Sequence, residues 1–450
     1  MRFIFRQGYP GIKWGPFESL EADCGFRRHK ILFGLEVQLY LKGFGTSIAK
    51  ISTFRRNASH SRYHSKQAME IRPTDVDANR RFEAIHRVLA DAVSARAFPG
   101  CAFGALASGK IVLQGALGRF TYEEDSPAVD ADAIYDVASI TKVAATTAAA
   151  MLLHQRGLFD LDTPLGELLP GFIVGRAPGQ HARKVTLRHL LAHNSGLPGY
   201  VEFYRTLSTP AELYRACLEL PLEAEPGTRA EYSDPGFILL GKAIEVILQS
   251  RHEAGELDSW VHREVFGPLG MASTGFCPPP AAAPFIPPTE EDTTLRHRRI
   301  QGEVQDENAW VLKGVAGHAG LFSNVADLLR FACEILGASA AAAPRPDPAQ
   351  PTLFKPETIE IFSQRQGPEG SSRALGWDTP SENSSAGGLF SAHSIGHLGY
   401  SGCSLWIDLE AGIAAALLTN RTWPDRGSQL IRQVRPAFHN ALREGIVAAV

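Results

Sequence analysis

The sequence predicts an α+β fold in which both ends of the folded region contribute to a mostly antiparallel sheet with flanking helices. A mainly helical subdomain is inserted between the two halves. Three patterns lead to this expectation. From Asp77 onward, Phe82, Ile85, Val88, Leu89 and Val93 recur at helical spacing up to the breaker FPG, and CAFGALASGKIVLQGALG then reads as two strands joined by a Ser-Gly turn. At the far end HSIGHLGYSG, SLWIDLE and AAALLTN read as successive strands, followed by a helical stretch, SQLIRQVRPAFHNALREGIVAA. Between them VTLRHLLAH, AELYRACLEL, PGFILLGKAIEVILQ and NVADLLRFACEIL each carry one apolar face, the signature of packed helices.

The chain has 450 residues, 44% hydrophobic and 21% charged, which suffices for a large buried core. A net charge of -3 argues against nucleic acid or an anionic membrane as a partner. Six scattered cysteines form no C-x-x-C pair and read as reduced. Between Val37 and Met69 there is no acidic residue while Lys42, Lys50, Arg55, Arg56, Arg62 and Lys66 are basic. Residues 1–70 are therefore expected to be a poorly ordered basic extension, with one folded domain over 77–447, its helical subdomain within roughly 150–335, and an Ala/Pro-rich linker at 337–352. ILFGLEVQLYLKGFG is broken by Glu36 and Lys42, and VAATTAAAMLL is too short to span a bilayer. The first residues lack the h-region and cleavage site of a secretory signal, so the expected location is cytoplasmic.

The stretch DVASITKVAATTAAAMLLHQRG, beginning at Asp136, places Ser139 three residues before Lys142. One helical turn separates them, so hydroxyl and amine share a face. With Asp136 as N-cap, the Ser139 N–H falls in the first turn, free of an intrahelical acceptor and at the positive end of the helix dipole. A developing oxyanion needs such a donor. S-x-x-K alone does not separate a nucleophile from a capping region, since Ser47-Ile-Ala-Lys50 also matches.

Context separates them. EPGTRAEYSDPGFILLG contains Tyr232-Ser233-Asp234, and GHLGYSGCSLWID contains His397-Leu398-Gly399. Ordered as S-x-x-K, Y-x-D and H-x-G, and extended by VTLRHLLAHNSGLPGY, VFGPLGMASTGF and DENAWVLKGVAGHAGLFSNVADLLRFA, the chain resembles the serine β-lactamase and penicillin-binding-protein-like hydrolases from about Phe82 to Leu442. The similarity is to the branch around class C β-lactamases and related esterases. It implies an active site between the sheet and the helical subdomain, needing no cofactor or metal. It also implies Ser139 as nucleophile, Lys142 and Tyr232 as proton handlers, and the backbone N–H groups of Ser139 and Tyr400 as oxyanion hole, with Asp234, His397 and Gly399 in the flanking motifs.

Two positions depart from that family's pattern. Asp234 stands where Asn is more usual, and a carboxylate near Lys142 would raise its pKa, which leaves Lys142 and Tyr232 as alternatives for the general base. His397 replaces the lysine of K-T-G and with it the permanent cation that helps hold a substrate carboxylate. β-Lactams and D-Ala-D-Ala peptides carry that carboxylate and a simple ester does not. The expected activity is thus a carboxylesterase-type hydrolysis of small acyl substrates through an acyl-enzyme on Ser139. The alternatives are a β-lactamase, a D-Ala-D-Ala carboxypeptidase or D-aminopeptidase, and a non-catalytic ligand-binding relative.

Other motifs read as structural. Gly399-Tyr-Ser401-Gly402-Cys403 nearly matches a nucleophile elbow but opens a strand pair, and Ser195 in HNSGL reads as a turn former. His189 with His193, and His393 with His397, have four-residue spacing but lack the glutamate of H-E-x-x-H. His318 in GVAGHAGLF is open between a substrate contact and a packed turn residue.

Overall fold

A computed structural model describes residues 82–176, 181–251, 255–339 and 352–447, all within the unit Met69–Val450. The expected extension, Ser47-Ile-Ala-Lys50 and most of the Ala/Pro linker lie outside the described residues.

The domain opens with helix α1 (Glu83–Ser94) and the hairpin β1 (Gly100–Ala107) and β2 (Lys110–Gly118). It closes with β8 (Ser394–Leu398), β9 (Ser404–Asp408), β10 (Ile413–Thr419) and helix α11 (Ile431–Val447). These strands form one five-stranded sheet in the order β2-β1-β10-β9-β8, every neighbour antiparallel. The seam joining the first and last parts of the domain is β1 on β10, with Phe103 opposite Leu417 and Ala105 opposite Ala415.

β10 is apolar from Ile413 to Leu418 because both of its faces are covered, and the period of two divides its side chains between two cores. Ile413, Ala415 and Leu417 pack with Ile85 and Leu89 of α1 and Phe438 and Leu442 of α11. Ala414, Ala416 and Leu418 face the larger core shared with the inserted helices. Each fully buried Leu, Ile or Phe contributes about 1.5–3 kcal/mol of transfer free energy, so the two layers together bind the first and last elements of the domain firmly.

Between the halves run β3 (Tyr135–Asp136), α2 (Ala148–Gln155), α3 (Leu165–Leu168), α4 (Leu187–Leu191) and α5 (Pro210–Glu219). They are followed by α6 (Asp234–Ser250), α7 (Leu257–Val261), β4 (Gly275–Phe276), the hairpin β5 (Glu290–Asp292) and β6 (Arg298–Ile300), and α8 (Glu307–Val311). β7 (Leu321–Ser323), α9 (Val325–Ala338) and α10 (Pro356–Ser363) complete the insertion. β7 pairs with both β3 and β4, tying the strand before Ser139 to the middle of the chain. Among the described residues no helix is long and apolar enough to cross a membrane.

Candidate active site

The segment after β3 is less regular than an N-capped α-helix. A 3-10 turn, Ala138–Ile140, leads into a π-helical stretch, Lys142–Thr147, and only then into α2. Asp136 is not the N-cap that the sequence suggested. It is buried, accepts from the Ala138 N–H at 2.8 Å and from the Gln305 N–H at 2.7 Å, and so braces the turn before the serine. Burial pushes its carboxyl up to about 6, against the two N–H bonds that favour the ion. Ala138 adopts a φ of 48°, a costly conformation for a residue with a Cβ, and this sharp turn presents Ser139 half-buried at the surface of the site.

Lys142 is fully buried, and its ammonium meets three oxygens: Asp234 Oδ1 at 2.7 Å, the His318 carbonyl at 3.0 Å and Ser139 Oγ at 3.1 Å. An ammonium has three protons, and all three are donated. Burial alone would lower its pKa, but the charge of Asp234 and the neighbouring Tyr232 outweigh it and hold the lysine above its ordinary value. Asp234 reaches this position because Ser233 caps α6, its hydroxyl accepting from the Gly236 N–H at 3.0 Å, which places Asp234 in the first helical turn. Tyr232 precedes the cap, with its ring 4.8 Å from the Lys142 ammonium and its hydroxyl facing both Lys142 and Ser139. Burial raises its pKa further than Lys142 lowers it, and Asp234 adds to the rise. The resting site is therefore a charged lysine beside a neutral phenol.

Two clefts, of about 310 and 570 Å³, both include Ser139, Tyr232 and Tyr400 in their walls. His397 on β8 and the turn after it line the first. Gly399 begins that turn, where a Cβ would fall 2.4 Å from the Val137 carbonyl, so only glycine allows the turn to approach the strand leading to Ser139. Its N–H donates to the Cys403 carbonyl at 2.7 Å, and Ser401 Oγ donates to the Asp136 carbonyl at 2.8 Å. Ser401 is thus buried scaffold rather than a nucleophile. Tyr400 is about half exposed, with the Arg421 guanidinium 4.3 Å from its ring centre.

The model of the family described as Beta-lactamase matches residues 85–437, a span that holds all of these groups. The chain belongs to the beta-lactamase family. A Salmonella typhimurium protein provisionally named a D-alanyl-D-alanine carboxypeptidase is 30% identical over 317 residues, which cover 64% of this chain and 69% of that protein. Among solved structures, EstCE1, a hydrolase with promiscuous acyltransferase activity, is similar at a TM-score of 0.61 and 21% identity, covering 81% of this chain and all of that one. The octameric penicillin-binding protein homologue from Pyrococcus abyssi follows at 0.59 and 21%, covering 78% and 75%. At these identities the two structures share the fold. Family membership and relatives together make this member of the beta-lactamase family a serine hydrolase.

The structure adds residues that motif reading did not find. The Arg373 guanidinium lies 5.3 Å from the Tyr232 ring centre, lines the first cleft, and among the described residues approaches an acid only at 3.8 Å, from Asp378. Asp378 is already engaged by the Ser372 hydroxyl at 2.6 Å. A cation thus lines the cleft that holds His397, and it comes from SSRALGWD, a segment that matches no catalytic motif. His397 is held neutral by burial and by the nearby Lys142 and Arg373, and its Nδ1 bonds the Leu398 carbonyl at 2.9 Å. This assigns the proton to Nδ1 and leaves Nε2 an acceptor without a partner among the described residues. His193 is likewise kept neutral by burial, its Nδ1 accepting from the Ser233 N–H at 3.0 Å and its ring 4.6 Å from that of Tyr232.

The other histidines singled out in the sequence, His189, His393 and His318, make structural contacts with their side chains. His189 Nδ1 closes a capping box with Thr186 at the start of α4. His393 is exposed and pairs with Glu410 at 3.0 Å. His318 is buried, with Nε2 2.9 Å from Asp306 Oδ1, and the pair holds the Asp306 carboxyl down to about 2 despite its burial. Its part in the site is played by its backbone carbonyl, which accepts a hydrogen bond from the Lys142 ammonium. Among the described residues no three of His, Cys, Asp and Glu are grouped to hold a metal ion.

Proposed function

We propose that Ser139 is acylated by small esters or amides carrying a carboxylate, which the first cleft receives at Arg373. The observation that carries this reading is an arginine beside Tyr232 whose guanidinium makes no hydrogen bond among the described residues. The second cleft is lined by Glu202, Glu231, Asp234, Asp306 and Glu307, with the one lining cation, Arg426, paired to Glu290 and Glu307, and would repel the same group. D-amino-acid peptides and carboxylate-bearing esters both meet these terms. A carboxylesterase for uncharged esters is the second reading, favoured by the neutral imidazole of His397.

A matched pair of substrates decides between them. Wild-type protein is expected to hydrolyse 3-carboxyphenyl acetate with a higher kcat/KM than phenyl acetate. Arg373→Gln should lower the first value by about 10–100-fold, the size of a lost charge-assisted hydrogen bond, and change the second by less than about threefold. A wild-type preference for phenyl acetate, untouched by Arg373→Gln, would leave the uncharged-ester reading standing instead.

In this reading Tyr232, rather than Lys142, takes the Ser139 proton. A lysine whose three protons are all donated has no lone pair to offer, but it stabilises the phenolate that forms beside it. The base is then the ionised phenol, and the rate should climb with pH on the alkaline side. Asp234 raises the pKa of both partners, so Asp234→Asn is expected to move the ascending limb of the kcat/KM profile, and the descending limb set by Lys142, to lower pH. Limbs that stay in place, or move upward, would sink the assignment of these two groups.

A further inference from the structure

Arg435, on α11, lines the first cleft and directs Nη2 and Nε of its guanidinium to one turn. Nη2 donates to the Gly399 carbonyl at 2.6 Å and the Cys403 carbonyl at 2.8 Å, and Nε donates to the Gly402 carbonyl at 3.2 Å. The side chain is buried and makes no ion pair among the described residues. Burying an unneutralised guanidinium is costly, so a site that keeps one has to satisfy it with oxygens, and here every oxygen belongs to the β8–β9 turn. Burial lowers its pKa to about 10, which leaves it charged at neutral pH. Arg421 also holds this turn, with Nε donating to the Tyr400 carbonyl at 2.8 Å.

The Gly399 carbonyl and the Tyr400 N–H are the two ends of one peptide group. That group is trans, since the cis bonds among the described residues are Gly367-Pro368 and Trp423-Pro424. In a planar trans peptide the two bonds point in opposite directions, so drawing the carbonyl toward Arg435 turns the N–H away from it. A charge-assisted bond to the carbonyl also polarises the amide and strengthens the N–H as a donor. We propose that Arg435 is a positioning residue that aims and polarises the Tyr400 N–H, through the Gly399–Tyr400 peptide, toward the oxyanion formed when Ser139 attacks. The inference rests on the acyl-enzyme reading of Ser139 and on the Tyr400 N–H as the oxyanion donor that the family resemblance implies.

Arg435→Met and Arg435→Lys test it, read as a split between kcat and KM and as the ratio of rates on an oxo-ester and its thiono analogue. Sulfur is larger and a poorer hydrogen-bond acceptor, so the ratio reports how tightly the donors converge on the anion, which a loss of helix anchoring alone would not change. Arg435→Met should lower kcat by about 10–100-fold with KM within about threefold, short of the loss of a whole oxyanion donor, and contract the oxo/thiono ratio by about tenfold. Arg435→Lys keeps the charge and one donor, and should fall between. Folded variants with wild-type kcat and an unchanged ratio, or with the loss confined to KM, would overturn the proposal. If the methionine variant does not fold, an unchanged ratio in Arg435→Lys overturns it alone. Ser139→Ala in the same assay separates the two failures: turnover retained there defeats the acyl-enzyme reading, whereas an inactive Ser139→Ala beside unimpaired Arg435 variants defeats only this inference.

Discussion

Ser139→Ala is expected to reduce hydrolysis by at least about 10⁴-fold, because removing the nucleophile of a concerted serine site costs as much as removing its partners with it. The fold should survive. Ser139 is half-buried, and the hydroxyl accepts one hydrogen bond, from Lys142, whose ammonium keeps Asp234 and the His318 carbonyl. The melting temperature is therefore expected to stay within a few degrees of wild type while kcat/KM collapses. Turnover at a tenth of wild type or more, in folded protein, would show that another group carries the acyl transfer.

Tyr232→Phe carries the second largest expected effect, about 10²–10⁴-fold in kcat, the usual span for loss of a general base. The ring remains, and with it the contacts to His193 and to the lysine ammonium. Only the phenol oxygen is lost. Because Lys142 stays charged, it cannot take over, and the residual rate should lose the alkaline rise of the wild-type profile. A variant that keeps that rise and more than about a tenth of the rate would transfer the base role to Lys142 and require a neutral lysine against Asp234.

Much of this site was legible as sequence because its groups come from motifs with local geometry. Ser139 and Lys142 are one turn apart, Tyr232 and Asp234 flank a helix cap, and His397 and Gly399 end a strand. The antiparallel sheet could be anticipated for a similar reason: period-two and hairpin patterns at both ends required a long-range pairing to cover β10. What could not be read were contacts set by packing alone. Asp136 looked like an N-cap, but its carboxylate serves Gln305, which is 169 positions away. The π-helical winding after Ser139 has no marker in an alanine-rich run. Arg373 reaches Tyr232 across 141 positions from a segment with no recognisable motif, and without it the loss of the K-T-G lysine suggested an uncharged substrate. His318 acts through its backbone, which no side-chain reading could show.

The most direct test is to label the full chain with a fluorophosphonate, which phosphonylates the nucleophile with loss of fluoride, or with an ester whose acyl group is released slowly enough to be caught by acid quenching, and to map the adduct by peptide mass spectrometry. Acyl transfer through Ser139 requires a single adduct on the peptide containing that residue, absent from Ser139→Ala and formed at a rate that follows the wild-type pH profile. An adduct on Ser195 or Ser401, or full inactivation with Ser139 unmodified, would contradict it.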